Sequence, residues 1–167
     1  MTITDEEIEE VNEFMYLGSK ITNDGDVTAE LNNRISKAAY AIHRLNKIWK
    51  DKNISLKTKM KLYRSNVVSS LTYGCETWQL TTSQENKLNA FDYTSLRRIM
   101  KIDWREHITN EEIRARVKIP SVIDTIKKRR LNWFGHLIRM DRSRIARQLL
   151  FWEPETTESI IGRPPMA

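Results

Sequence analysis

A single cysteine, Cys75, and three scattered histidines are too few for a disulfide framework or a zinc site. They point to an intracellular, reducing setting and leave nucleus and cytoplasm open. Five glycines and four prolines in 167 residues leave long runs with neither, which suits helices and argues against a many-turned β-sandwich. No stretch approaches the roughly 18 apolar residues of a membrane span, and the acidic N-terminus is unlike a signal peptide, so no membrane partner is expected. The sequence holds no Gly-rich phosphate loop, HExxH or GxSxG. His43, His107 and His136 lie far in sequence from Cys75, which reads as a small buried residue and not as a nucleophile. Two-metal nucleotidyl transfer needs carboxylates placed to hold both ions. Asp24 and Asp26 flank a turn glycine, and turn chemistry accounts for them. No catalytic residue, metal ligand or cofactor is assigned, and the chain by itself is expected not to be an enzyme.

What is there begins with a core and a charge asymmetry. A hydrophobic content of 40% with five Trp supports one ordinary domain, or one domain with an appendage. Residues 1–30 hold nine acids and one base, whereas residues 31–150 hold 26 bases and 10 acids. A basic block of that size attracts polyanions: nucleic acid first, an anionic membrane surface second, with solubility alone as the bland reading.

The rest of the chain is arranged around residues 55–78. Ser55 can cap a helix, and Leu56, Met60, Tyr63, Val67, Leu71, Gly74 and Trp78 recur at steps of three and four. At roughly 100° per residue they form a stripe about 80° wide, as an amphipathic helix requires. Lys57, Lys59, Lys61 and Arg64 lie off it, and Gly74 would let another backbone come close. Upstream, residues 1–26 read as an acidic lead-in followed by a short hairpin or strand–turn, with Asp24-Gly25 as the turn signal. Two strands alone are marginal in water, so this piece is expected to need a partner sheet and looks cut from something larger. Asp26 or Thr28 caps the next helix, whose stripe is Leu31, Ile35, Ala38, Ile42, Leu45 and Trp49. Its other side carries Lys37, Tyr40, Arg44 and Lys47, a basic row with an aromatic inside it, able to track phosphates while a ring packs on sugar or base. A solvated face is the plain alternative.

A capping box at Thr82–Glu85 opens a third helix, completing a three-helix bundle over residues 27–101. Lys101–His107 is a linker anchored by Trp104. Residues 102–152 form a basic helical extension: a capping box at Thr109–Glu112, a stop at Pro120, then a helix from Ser121 toward Met140. Its stripe is Val122, Ile126, Trp133, Leu137 and Met140, with Arg130 approaching the buried side and Gly135 permitting close approach. A last helix ends near Trp152. Residues 153–167 read as a disordered tail, within which Gly162-Arg163-Pro164 is a weak minor-groove motif. The expected class is mainly α: an N-terminal β-hairpin, a three-helix bundle and a helical C-terminal extension.

Several of these stretches together resemble one family. Phe14-Met15-Tyr16-Leu17-Gly18-Ser19-Lys20-Ile21, with Asp24-Gly25 behind it, resembles the F-x-YLG-x-x-I stretch of non-LTR (LINE-type) retrotransposon reverse transcriptases. Tyr73-Gly74-Cys75-Glu76-Thr77-Trp78 is similar to their YG-C-E-x-W thumb signature. Arg97-Arg98-Ile99, Lys101-Ile102-x-Trp104 and Arg130-Leu131-x-Trp133-Phe134-Gly135-His136-Leu137-x-Arg139 follow in the family's order. The resemblance implies a primer grip at Phe14, Tyr16, Leu17 and Gly18, and a thumb whose basic faces lie along an RNA–DNA hybrid or duplex DNA. The contacts it favours are Lys37, Tyr40, Arg44, Lys47, Lys57, Lys61 and Arg64. The paired aspartates of the palm are absent, as is the N-terminal endonuclease, and the basic segment begun at Gly162 stops at Ala167. The partner implied in a full-length parent is therefore an upstream palm domain. Two rival readings stay open: a sequence-specific DNA-binding module on residues 109–140, and a helical protein-interaction module.

Overall fold

The computed structural model describes residues 2–3, 6–7, 11–23 and 25–152. The chain is mainly α, with an N-terminal antiparallel hairpin followed by helices, and it divides into two compact units at residues 130 and 131. In the first unit, two short strands, β1 (Thr2–Ile3) and β2 (Glu6–Glu7), pair antiparallel. A longer hairpin follows, β3 (Glu13–Tyr16) with β4 (Ser19–Thr22), pairing Phe14 with Ile21 and Tyr16 with Ser19. Its turn is Leu17-Gly18, not the expected Asp24-Gly25. Both turn residues have positive φ, 47° and 82°, the handedness that matches strand twist in a two-residue loop. The Gly25 N–H instead closes a turn onto the Thr22 carbonyl, and the Asp26 carboxylate accepts from the Thr28 N–H and hydroxyl at the start of the first helix.

Helix α1 (Thr28–Arg44) and the short α2 (Asn46–Lys50) are separated only at Leu45, and their apolar stripe buries Leu31, Ala38, Ile42 and Trp49. The Trp49 indole N–H reaches the Ile42 carbonyl at 2.9 Å. Ser55 caps α3, its hydroxyl accepting from the Thr58 N–H. Helix α3 occupies residues 56–71: Leu56–Leu62, a π-helical segment Tyr63–Val68, and a last turn Ser69–Leu71. It buries Met60, Tyr63, Val67 and Leu71, while Leu56 stays exposed. The helix ends earlier than the stripe implied. Gly74 has φ 73° and stops it, and Cys75–Thr77 form a 3₁₀ turn that delivers buried Cys75 and Trp78 to the core.

Helix α4 (Thr82–Met100) opens on a capping box made by Thr81 and Gln84, one residue before the expected cap. Its Leu88, Leu96 and Ile99 meet α1, α2 and α3 in one core, where each fully buried leucine contributes roughly 1.5–3 kcal/mol. Trp104 does not anchor the connection that follows; it is 75% exposed. The capping box at Thr109 and Glu112 forms as expected and starts α5 (Asn110–Val117), which buries Ile113 and Val117. Helix α6 (Val122–Arg139) begins where Ser121 and Asp124 exchange hydrogen bonds, and it buries Val122, Ile123 and Ile126.

The second unit, from Leu131 on, holds the rest of α6, a turn and α7 (Ile145–Leu150). In the turn the Asp141 carboxylate accepts from the Ser143 hydroxyl and N–H, which holds its carboxyl below the usual range. No described side chain after Ile126 is buried, so Trp133 is not the core residue its stripe position implied. The nearest neighbour of a Cβ on Gly135 would be the guanidinium end of the Arg139 side chain, at 3.1 Å, and not the backbone of another element. The tail from residue 153, with Gly162-Arg163-Pro164, lies outside the described residues.

Candidate nucleic-acid interface

Two places in the first unit gather the residues singled out in the sequence. The first is the junction of the hairpin with α1 and α3. The Arg34 guanidinium donates to Glu30 at 2.5 Å, the Gly18 carbonyl at 2.7 Å and the Ser19 hydroxyl at 3.0 Å. The other Glu30 oxygen accepts from the Lys20 N–H at 2.8 Å, and both Arg34 and Glu30 are buried. The guanidinium lies 4.5 Å from the Tyr73 ring centroid, and the Tyr73 hydroxyl donates to the Leu17 carbonyl. A Cβ on Gly74 would come within 3.0 Å of the Ser19 hydroxyl, so this position needs glycine for its φ and for space. The close approach is therefore to a side chain, not to a second backbone. The Leu17-Gly18 turn and the Tyr73-Gly74 pair, 56 residues apart, thus form one joint. It holds the hairpin with Phe14, Tyr16 and Leu17 exposed.

The second place is a cleft of about 760 Å³ between α3 and the corner where α5 turns into α6. One wall carries Lys57, Lys61 and Arg64 at steps of four and three, hence on one helical face. The other carries Arg116, Lys118 and Arg129. Among the described residues no aspartate or glutamate lines the cleft, and its inner side is apolar, with Met60, Val68, Val117 and Ile119. Five of the six cations have no hydrogen-bond or ion-pair partner among the described residues. The sixth, Arg129, donates to the Thr72 carbonyl at 2.8 Å and lies 3.9 Å from the Glu76 carboxylate. It is Arg129, half-buried, that turns inward, while Arg130 is exposed. The π-helical segment supplies Arg64, Ser65 and Val68 to the cleft while Tyr63 and Val67 face the core.

A buried network spans the two walls. The Tyr63 hydroxyl donates to one Asp92 oxygen at 2.6 Å, and Arg114 donates to the other at 2.5 Å and to the Pro120 carbonyl. Burial first, then the Asp92 charge, pushes the Tyr63 phenol far above its ordinary range. Burial works against the Arg114 charge, but the hydrogen bond and charge of Asp92 outweigh it and raise its pKa. One carboxylate from α4 thereby fixes α3 against α5, and with them the spacing of the cationic walls.

Not every basic residue belongs to a surface. Lys59, one of four cations grouped together in the sequence, is buried and donates to the Trp49 and Asp51 carbonyls at the end of α2. Arg97 is tied to Asn110 and the Ile108 carbonyl. Lys37, Tyr40 and Arg44 on α1 and Lys47 on α2 are exposed, with Arg44 5.8 Å from the Tyr40 ring centroid. They form a separate row and do not line the cleft. Arg116, Lys118 and Arg129 were not singled out as contacts from sequence. Lys118 had a signal, since it precedes Ile119-Pro120 at a helix end, where a side chain is thrown outward. Cys75 is buried and its thiol is pushed up to about 11, by burial first and then by Glu76, as suits a core residue. Among the described residues, no cluster of His, Cys, Asp and Glu could hold a metal ion, and no helix is long and apolar enough to cross a membrane.

Fold and cleft together define a small helical domain with a cation-lined cleft. In sequence the chain is similar to an uncharacterized transposon-derived protein of Caenorhabditis elegans, 27% identical over 164 residues, which is 96% of this chain and 58% of that relative. The chain thus spans under two thirds of the relative's length, and the similarity supports a transposon origin for the sequence. No family model matches the chain, and no solved structure does.

Proposed function

We propose that this chain binds nucleic acid without reading its sequence. In this reading it is the primer-grip, thumb and post-thumb part of a non-LTR retrotransposon reverse transcriptase and lacks the catalytic palm. The observation that carries it is the cleft, where six cations converge, five of them without a partner, and no carboxylate lines it among the described residues. Like charges held together repel, and an anionic ligand relieves that repulsion. Such a constellation suits phosphates better than base edges, as a polymerase that copies any sequence requires. The joint between Leu17-Gly18 and Tyr73-Gly74 adds support, because the two stretches most similar to the family pack on one another. The transposon-derived relative adds more. Phe14, Tyr16, Leu17 and Gly18 would face the primer strand, and Lys37, Tyr40, Arg44 and Lys47 the duplex backbone.

The test is a salt titration of binding to an RNA–DNA hybrid with a single-stranded template overhang. Replacing Lys57, Lys61 and Arg64 together by Gln is expected to lower the slope of log affinity against log salt by about 2–3. An unchanged slope removes those residues from the interface. Absence of binding to RNA, DNA or hybrid at low salt overturns the reading in favour of a protein-interaction module.

A further inference from the structure

We infer that the cleft between α3 and the α5–α6 corner holds an unpaired nucleic-acid strand and not a duplex. This rests on the reading of the chain as a nucleic-acid binder and assigns the cleft a ligand of its own. Cations stand on both walls, Lys57, Lys61 and Arg64 facing Arg116, Lys118 and Arg129, so a backbone between them is neutralised from two sides. The floor is the second argument. Val68 and Ile119, half-buried, and Leu56 and Pro120, exposed, present apolar surface between the charged walls, over the buried Met60 and Val117. A duplex keeps the apolar faces of its bases stacked inside and has nothing to set against that floor, whereas an unpaired strand can turn its bases onto it.

Size agrees. A volume of about 760 Å³ suits a small-molecule-sized guest, the scale of a nucleotide or two, and is far too small for a turn of duplex. Few readers of base edges stand in the cleft. Among the described residues no Asn, Gln, Asp or Glu lines it, so the side chains that pair with adenine or cytosine edges are missing, and its Arg and Lys could read guanine alone. The hydroxyls of Ser65 and Thr125 already donate to the carbonyls of Leu62 and Ser121 on their own helices. The row on α1 and α2 is exposed and lies outside the cleft. The chain thus carries two basic surfaces of different form, and a primed template offers a paired and an unpaired segment to match them.

The experiment uses the full chain and two labelled probes, an unstructured oligothymidine of about 12 nucleotides and a blunt hairpin duplex of equal strand length. Two variants are compared with the parent after thermal unfolding establishes that they fold. One is the triple replacement of Lys57, Lys61 and Arg64 by Gln. The other is Ser65→Glu, which puts a carboxylate in the cleft from an exposed position on α3. The triple variant is expected to lower the salt slope for the single strand by about 2 and leave the duplex slope unchanged. Ser65→Glu is expected to weaken the single strand by about tenfold, with duplex affinity kept within about twofold. Equal losses on both probes would overturn the inference while leaving nucleic-acid binding intact, because the cleft would then face duplex. Unchanged single-strand binding in both variants would also overturn it and make an acidic protein segment the better occupant. A parent chain that binds neither probe ends both the inference and the reading beneath it.

Discussion

Arg34 and Lys57 are cations on neighbouring helices of one unit, yet they do opposite work. At the hairpin joint Arg34 is buried, and its donors are matched by Glu30, Gly18 and Ser19. In the cleft Lys57 and four other cations are unmatched and share a slot with one another. A matched, buried cation holds structure, because removing it strands its partner's charge out of water. Unmatched cations side by side destabilise the fold by mutual repulsion. Net positive charge therefore says little about function. The partnering of each charge says more: the joint's cation is satisfied within the fold, and five of the cleft's are not.

Three substitutions, the second paired with Arg114→Met, test this division in falling order of effect. Arg34→Met leaves Glu30 buried without its cation and should cost about 3–5 kcal/mol in denaturant unfolding. A loss under about 1 kcal/mol, the range of surface pairs, would mean that the joint is not structural and the comparison fails. Tyr63→Phe removes the hydroxyl donated to Asp92 and should cost roughly 1.5–3 kcal/mol, the range for a hydrogen bond to a charged group. Because Asp92 also holds Arg114, the variant should respond to Arg114→Met non-additively in a double-mutant cycle; strict additivity would deny that one network spans the walls. Lys118→Gly is the smallest and sharpest case. Lys118 has φ 52°, a left-handed conformation that costs a non-glycine residue about 1–2 kcal/mol, so glycine should raise stability by up to about 1 kcal/mol after its own chain entropy. The same change should lower the salt slope of binding by about 0.7–0.9. Stability gained together with binding lost would mark Lys118 as kept for its charge.

The correct and incorrect expectations divide along physical lines. Caps at Ser55 and Thr109 were legible because each joins residues three apart and needs no distant partner. At α4 the hydroxyl of Thr81 performs the capping role, a shift of one that two adjacent threonines leave undecided in sequence. The hairpin was expected, but its turn was misplaced. Leu17-Gly18 lacks the Asp or Asn that usually marks such a loop, and its leucine is held at positive φ while Tyr73 and Arg34 bind the neighbouring carbonyls. Trp104 was read as a linker anchor and Trp133 as part of a buried stripe, and both are exposed.

What the sequence by itself determined is the local part: a mainly α chain, the faces of its helices, most of their ends, and an excess of positive charge after residue 30. Those follow from the 3.6-residue period and from capping chemistry within one turn. Only the tertiary structure decided which cations are structural and which are free. Lys59 and Lys61 are two residues apart on one helix, and one is buried against the end of α2 while the other lines the cleft. The opposing wall comes from residues 116–129, brought to α3 by a core and an Asp92 network whose members lie 22 and 29 residues apart. Pairing across such distances depends on how helices pack, and no local pattern of residues encodes it.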